Sequence, residues 1–162
     1  MENQNKKALG AVRPATMQDV DAIHDLISYY AERNRMLFRT LEDLYERIRE
    51  FRVFVDPEEK ILGCAGLALL WRDLGEIRSM AVDPNYIGCG IGRKLVEDAI
   101  AEAKRLKLKN IFALTYEVGF FERRGFKIVD KELLPHKVWT DCIHCDMQDN
   151  CKEVPVLMKL NE

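Results

Sequence analysis

Three glycines at alternate positions, Gly88-Cys89-Gly90-Ile91-Gly92, follow a strand-like run that ends in Val82-Asp83-Pro84-Asn85. Directly after them the apolar period becomes helical, with Ile91, Leu95, Val96, Ala99, Ile100 and Ala103 on one face. A strand must therefore turn into a helix through a nearly bare backbone. Glycine reaches conformations closed to other residues and lets a ligand approach the main chain. The helix start supplies free N–H groups and the positive end of a dipole, which suit a pyrophosphate. No GK[ST] follows, which excludes a P-loop. A dinucleotide fingerprint would open the first βαβ unit, whereas these glycines stand in mid-chain. The plain alternative is a helix entered through a flexible turn.

The rest of the chain alternates similarly readable segments. Residues 1 to 8 are polar and expected to fray. A strand is expected over Leu9 to Arg13, then a capping box at Thr16-Met17-Gln18-Asp19 with Thr16 accepting backbone N–H groups. Val20, Ile23, Leu26, Ile27 and Tyr30 mark a helix. A second box, Thr40-Leu41-Glu42-Asp43, opens a helix carrying Leu44 and Ile48. Phe51 to Val55, Lys60 to Trp71 and Gly75 to Val82 read as an antiparallel meander. Asn110 to Thr115 reads as a buried strand, Tyr116 to Arg124 as a short helix closed by Gly125, and Phe126 to Val129 and Val154 to Leu160 as strands. A polar, cysteine-bearing loop spans 130 to 153. The order β-α-α-β-β-β-α-β-α-β-β predicts a mixed α+β layer fold.

With 162 residues, one domain over 1 to 162 is expected. The 25 basic and 27 acidic side chains nearly cancel, which argues against a nucleic-acid partner. No apolar run approaches the roughly 20 residues needed to span a bilayer, and the N-terminus lacks the apolar core of a secretory signal. The expectation is a cytoplasmic protein with no membrane partner and, given its compartment, no disulfide framework.

The segment MAVDPNYIGCGIGRKLV (residues 80–96) resembles the acetyl-CoA-binding motif of the GNAT N-acetyltransferase superfamily, and FFERRGF (120–126) resembles the motif that follows it. The likeness covers almost the whole chain. It implies a central mixed sheet of about seven strands with four helices, and acetyl-CoA as co-substrate. The strand ending at Val82 would splay from the strand Ile111 to Thr115, with the pantetheine arm paired to backbone across Met80, Ala81 and Val82. Amides of Ile87, Gly88, Cys89, Gly90, Ile91, Gly92 and Arg93 would hold the pyrophosphate, with Phe121 and Arg124 also on the cofactor side. Two positions depart from the family pattern. Ile87 stands where Arg or Gln is usual, and Phe121 replaces the Tyr that often protonates the departing thiolate.

A second resemblance narrows the acceptor. LFRT (37–40), GEIRSMAV (75–82), LTYEVGFFERRGF (114–126) and LLPHK (133–137) are similar to amino-acid N-acetyltransferases, above all the stand-alone N-acetylglutamate synthases of bacterial arginine biosynthesis, which share Phe at position 121. The implied reaction joins acetyl-CoA and L-glutamate by direct attack in a ternary complex. Glu76 would take the ammonium proton, and Thr115 or Tyr116 would relay a proton to the thiolate. Arg39, with Leu37 backbone nearby, would grip one carboxylate. Lys137 or Lys152 would hold the other, and Arg78, on the same strand as Glu76, is a further candidate for substrate binding. Each of these charges is equally readable as a solvated surface group. Another small amine, a protein amine, or a non-catalytic acyl-CoA-binding regulator remain as alternatives, and self-association into a homodimer stays open.

Cys142, Cys145 and Cys151 stand at C-x2-C-x5-C spacing with His144 and His136 nearby. Such thiols suit a structural zinc, though a second C-x-x-C or paired His is missing. Reduced structural thiols and a redox-sensitive loop are the other readings.

Overall fold

The computed structural model describes residues 7–134 and 153–160. Eleven elements follow in the expected order: β1 (Ala11–Pro14), α1 (Val20–Ala31), α2 (Leu41–Glu46), β2 (Phe51–Val55), β3 (Ile61–Trp71), β4 (Leu74–Val82), α3 (Ile91–Arg105), β5 (Asn110–Thr115), α4 (Val118–Glu122), β6 (Lys127–Ile128) and β7 (Val154–Lys159). The strands form one seven-stranded sheet in the order β1-β2-β3-β4-β5-β7-β6. β1 to β2, β2 to β3, β5 to β7 and β6 to β7 pair antiparallel, and β4 to β5 parallel, so the sheet is mixed.

The described backbone packs as two compact units. The first comprises the chain up to Leu67 together with Ile77–Glu102, and the second Ala68–Glu76 with the chain from Ala103 onward.

In the first unit the alternation of β2 builds two cores. Phe51, Val53 and Val55 face Val20, Ile23 and Ile27 of α1 and Leu44 of α2. Phe54 points the other way and joins Leu62, Ala65 and the first turns of α3, Ile91 and Leu95. A period of two in the strand and of 3.6 in the helices is the reason one segment serves both layers. Gly63 of β3 permits the close approach of α3, since a Cβ there would sit 2.7 Å from the Ile91 side chain. The helix start is thereby pressed onto the sheet. Arg52, on the same face as Phe54, pairs with Asp98 and Glu102 of α3 at 3.0 and 3.3 Å. In the second unit Leu74, Phe112 and Leu134 form a small core with Leu70, Leu114 and Leu157.

Several boundaries differ from the sequence reading. β1 begins at Ala11 rather than Leu9, which is 76% exposed and outside the β1–β2 ladder. The Thr16 side chain takes part in the expected capping box, of which both halves form. It donates to the Asp19 carboxylate at 3.2 Å, and the same carboxylate accepts the Thr16 amide at 2.7 Å. Arg13 holds that carboxylate at two points, 2.7 and 3.0 Å, and so orients it toward Thr16. α4 starts at Val118, because the Thr115 hydroxyl accepts the Glu117 amide at 2.7 Å and makes a turn first. Leu69 and Trp71, apolar residues of the Lys60 to Trp71 run, are 54% and 60% exposed at the far end of β3.

Candidate functional site

The turn before α3 has the backbone that its glycines foretold. Gly88 and Gly90 have φ of 81° and 87°, conformations costly for any residue with a Cβ. A Cβ at either would meet nothing within 4 Å, so glycine is demanded there by the backbone and not by crowding. The Asp83 carboxylate accepts the Asn85 amide at 2.9 Å and starts a short 3-10 turn, Pro84–Tyr86. The first helical bond runs from the Lys94 amide to Gly90 O at 3.2 Å. Amides just ahead of it have no intrahelical partner by helix geometry. The Cys89 amide donates to Tyr86 O at 3.3 Å and is engaged within the turn. Ile87 is 62% exposed, Gly92 half-buried and Arg93 exposed, its guanidinium paired with Glu97 at 3.2 Å.

On β4, Met80 and Val82 are half-buried and Ala81 fully buried. Tyr30 of α1 donates its hydroxyl to Val82 O at 2.6 Å. Burial raises the Tyr30 phenol above its usual range, so it stays a donor at neutral pH. The sequence reading placed Tyr30 on an apolar helix face and missed this polar end.

Ser79 is a second residue that the sequence reading passed over. Its φ is 53° in the middle of β4, an uncommon value for a residue other than glycine. The alternation of apolar residues breaks there, passing from Ile77 to Met80, and that slip is the signal by which the irregularity could have been found. The Ser79 hydroxyl lies 3.4 Å from Arg39 Nε. Arg39 and Arg78 have only 14% and 15% of their side chains exposed, so neither is a freely solvated surface charge. Arg39 lies 3.9 Å from the Asp43 carboxylate, and Arg78 3.5 Å from that of Glu50. Leu37, just upstream, is half-buried.

In the second unit, Glu76 is 9% exposed and sits opposite Phe112 in the parallel ladder of β4 with β5. Thr115 is buried at the end of β5 and Tyr116 follows it, half-buried. Phe121 is 3% exposed, edge-to-face with both Phe120 and Phe126. Arg124 donates to Phe120 O at 2.6 Å and lies 3.8 Å over the Phe120 ring. Lys137, Lys152, Cys142, Cys145, Cys151, His136 and His144 lie outside the described residues. Among the described residues no cluster of His, Cys, Asp and Glu could hold a metal, and no helix is long and apolar enough to cross a membrane.

A mixed seven-stranded sheet whose fourth strand leads through a glycine turn into a helix defines an acyltransferase of the CoA-dependent kind. Residues 19–126 match the acetyltransferase (GNAT) family. The chain belongs to that family and is an acetyl-CoA-dependent N-acetyltransferase. It is 38% identical over 149 residues to an uncharacterized N-acetyltransferase, CT2212, of Chlorobaculum tepidum, covering 92% of this chain and 96% of that protein. It is 43% identical over 121 residues to the amino-acid acetyltransferase of Mycobacterium tuberculosis, covering 74% of this chain and 69% of that one. The structure of N-acetylglutamate synthase from Neisseria gonorrhoeae, complexed with coenzyme A and N-acetyl-glutamate, superposes with a TM-score of 0.85 at 27% identity. That match covers 97% of this chain but 36% of the synthase.

Proposed function

We propose that the chain transfers the acetyl group of acetyl-CoA to the amine of an amino acid, with L-glutamate as the acceptor, and so serves the first step of arginine biosynthesis. The observation that carries this reading is the pair of half-buried guanidinium groups, Arg39 and Arg78, beside Ser79 on β4. Planar guanidinium groups bind carboxylates at two points, and glutamate brings two carboxylates. The named relatives and the glutamate product in the Neisseria complex point the same way.

In the proposed reaction the glycine turn holds the pyrophosphate of acetyl-CoA by its amides, and the backbone at Met80 and Val82 pairs with the pantetheine arm. Tyr30 fixes the Val82 peptide plane for that pairing. Glu76 accepts a proton from the substrate ammonium, directly or through water. The neutral amine attacks the thioester carbon. As the tetrahedral intermediate collapses, the new C–N bond stays and the C–S bond breaks. The second amine proton passes to solvent, and the thiolate leaves as the weaker base. Phe121 cannot protonate it. The Thr115 or Tyr116 hydroxyl would relay a proton to it, taking one from solvent as it gives its own, and Thr115 retains its own hydrogen while its oxygen accepts from Glu117.

The test is thiol release from acetyl-CoA over a panel of amino acids. Glutamate is expected to be preferred. Glu76→Gln should lower kcat by about two to four orders of magnitude. Arg39→Ala should raise the KM for glutamate by about tenfold or more, the worth of a charge-assisted hydrogen bond. A preference for another amine, with Arg39→Ala without effect, would overturn the acceptor assignment.

A further inference from the structure

Cys64 lies within β3, fully buried in the core that β2 forms with α1 and α2. Such a thiol ordinarily serves as a small apolar filler. Here its Sγ–H donates to the main chain of the neighbouring strand, at Ser79 O, 3.5 Å away. Side chains stand roughly perpendicular to a sheet, whereas ladder carbonyls lie close to its plane. A β3 side chain therefore meets a β4 carbonyl only where that carbonyl has tipped out of the ladder. Ser79, with its φ of 53°, supplies the tip. The Ala81 main chain hydrogen-bonds the same thiol and opposes the effect of burial on its acidity. A bond of that sign comes from an N–H group, which favours the thiolate.

Ser79 O and the Ala81 amide belong to the two peptide groups that flank Met80. Both peptides are planar and trans, so in each the C=O and N–H point in opposite directions. With Ser79 O and the Ala81 amide turned toward Cys64, the Met80 amide and carbonyl face away from it. The proposed reading pairs this same stretch of main chain with the pantetheine arm. Two side chains from other elements thus grip β4 here, Cys64 around Met80 and Tyr30 at Val82 O.

We propose that Cys64 is a positioning residue: its thiol, bonded on both sides of Met80, sets the peptide planes that offer the Met80 amide and carbonyl to the pantetheine arm of acetyl-CoA. The inference rests on the proposed placement of that arm. It gives a buried core side chain a share in cofactor affinity.

The experiment is calorimetric titration of Cys64→Ser, Cys64→Val and Cys64→Ala with two ligands. One is CoA, and the other is adenosine 3′-phosphate 5′-diphosphate, which keeps the pyrophosphate and lacks the arm. Serine keeps a donor and an acceptor at this point, whereas valine and alanine keep neither. Cys64→Val and Cys64→Ala should bind CoA about three- to tenfold more weakly, and the armless ligand as wild type does. Cys64→Ser should stay within about twofold of wild type for both ligands. A role in packing alone predicts the reverse order, since valine suits an apolar core better than a buried hydroxyl does. The proposal is overturned if valine matches wild type, if serine loses as much as valine, or if the armless ligand is weakened equally. Alanine, which adds no bulk, stands in for valine if the valine variant does not fold. Should wild type itself bind CoA no more tightly than the armless ligand, the placement of the arm has failed first.

Discussion

Single residues decide what the glycine turn can do. Gly90 is held at φ 87° with open space where a side chain would stand. Alanine there would be strained by roughly 1 kcal/mol or more, with no clash to relieve it. The turn would shift, and its amides with it. Gly90→Ala is therefore expected to raise the KM for acetyl-CoA several-fold while the KM for the amino acid holds, as substrate titrations would show. An unchanged acetyl-CoA KM would place the pyrophosphate elsewhere. The glycines were legible because their role is conformational and local. Ser79 and Tyr30 were not. A hydroxyl's partner 52 positions away, as with Tyr30 and Val82, leaves no trace in the spacing of the chain.

At the scale of elements, the junction of β1 with α1 is clamped by Arg13, Thr16 and Asp19. The hydrogen bond from Arg13 holds the Asp19 carboxyl below the usual carboxylate range. A lowered folded-state pKa stabilises the fold above the unfolded value of about 4, and the benefit fades as pH falls through it. Asp19→Ala should cost about 1–2 kcal/mol at pH 7, from the lost cap and ion pair together. Denaturant titrations should show the gap between wild type and variant narrowing below about pH 4. A gap independent of pH would mean that the charge contributes nothing. Both capping boxes were visible in the sequence; that of Thr16 forms in both halves, and that of Thr40 in one. Asp43 accepts from Arg47 rather than reaching back to the Thr40 amide side, although the Thr40 hydroxyl does accept the Asp43 amide at 3.0 Å. A neighbouring arginine, Arg47, takes the Asp43 carboxylate that the second box would use, and the spacing of the box alone does not encode it.

For the molecule as a whole, the period of two in β2 and of 3.6 in α1 and α3 made the layered α+β architecture readable before any coordinates. Strand ends were less so, because exposure at Leu69 and Trp71 depends on what lies over them and not on their own apolarity. Cys64 reports on the integrity of one core. It is wholly enclosed among α1, α2 and β2, and burial pushes its thiol up to about 12. The group is neutral in the folded and unfolded chain at pH 7, so it adds no pH dependence to stability there. Alkylation of the native protein followed by peptide mapping should label Cys89 and spare Cys64, which becomes reactive only on unfolding. Equal labelling of the two in native buffer would contradict this packing.

The turn before α3 presents main chain outward, with the Ile87 side chain exposed and offering no donor. An amide is common to every residue except proline, so it is inherited whatever side chain a mutation installs. A cradle of this kind can let its neighbours drift over evolutionary time, provided the glycines persist. In the proposed reading its ligand is then remembered by the path of the chain, while acceptor preference is left to diverge through the arginines elsewhere.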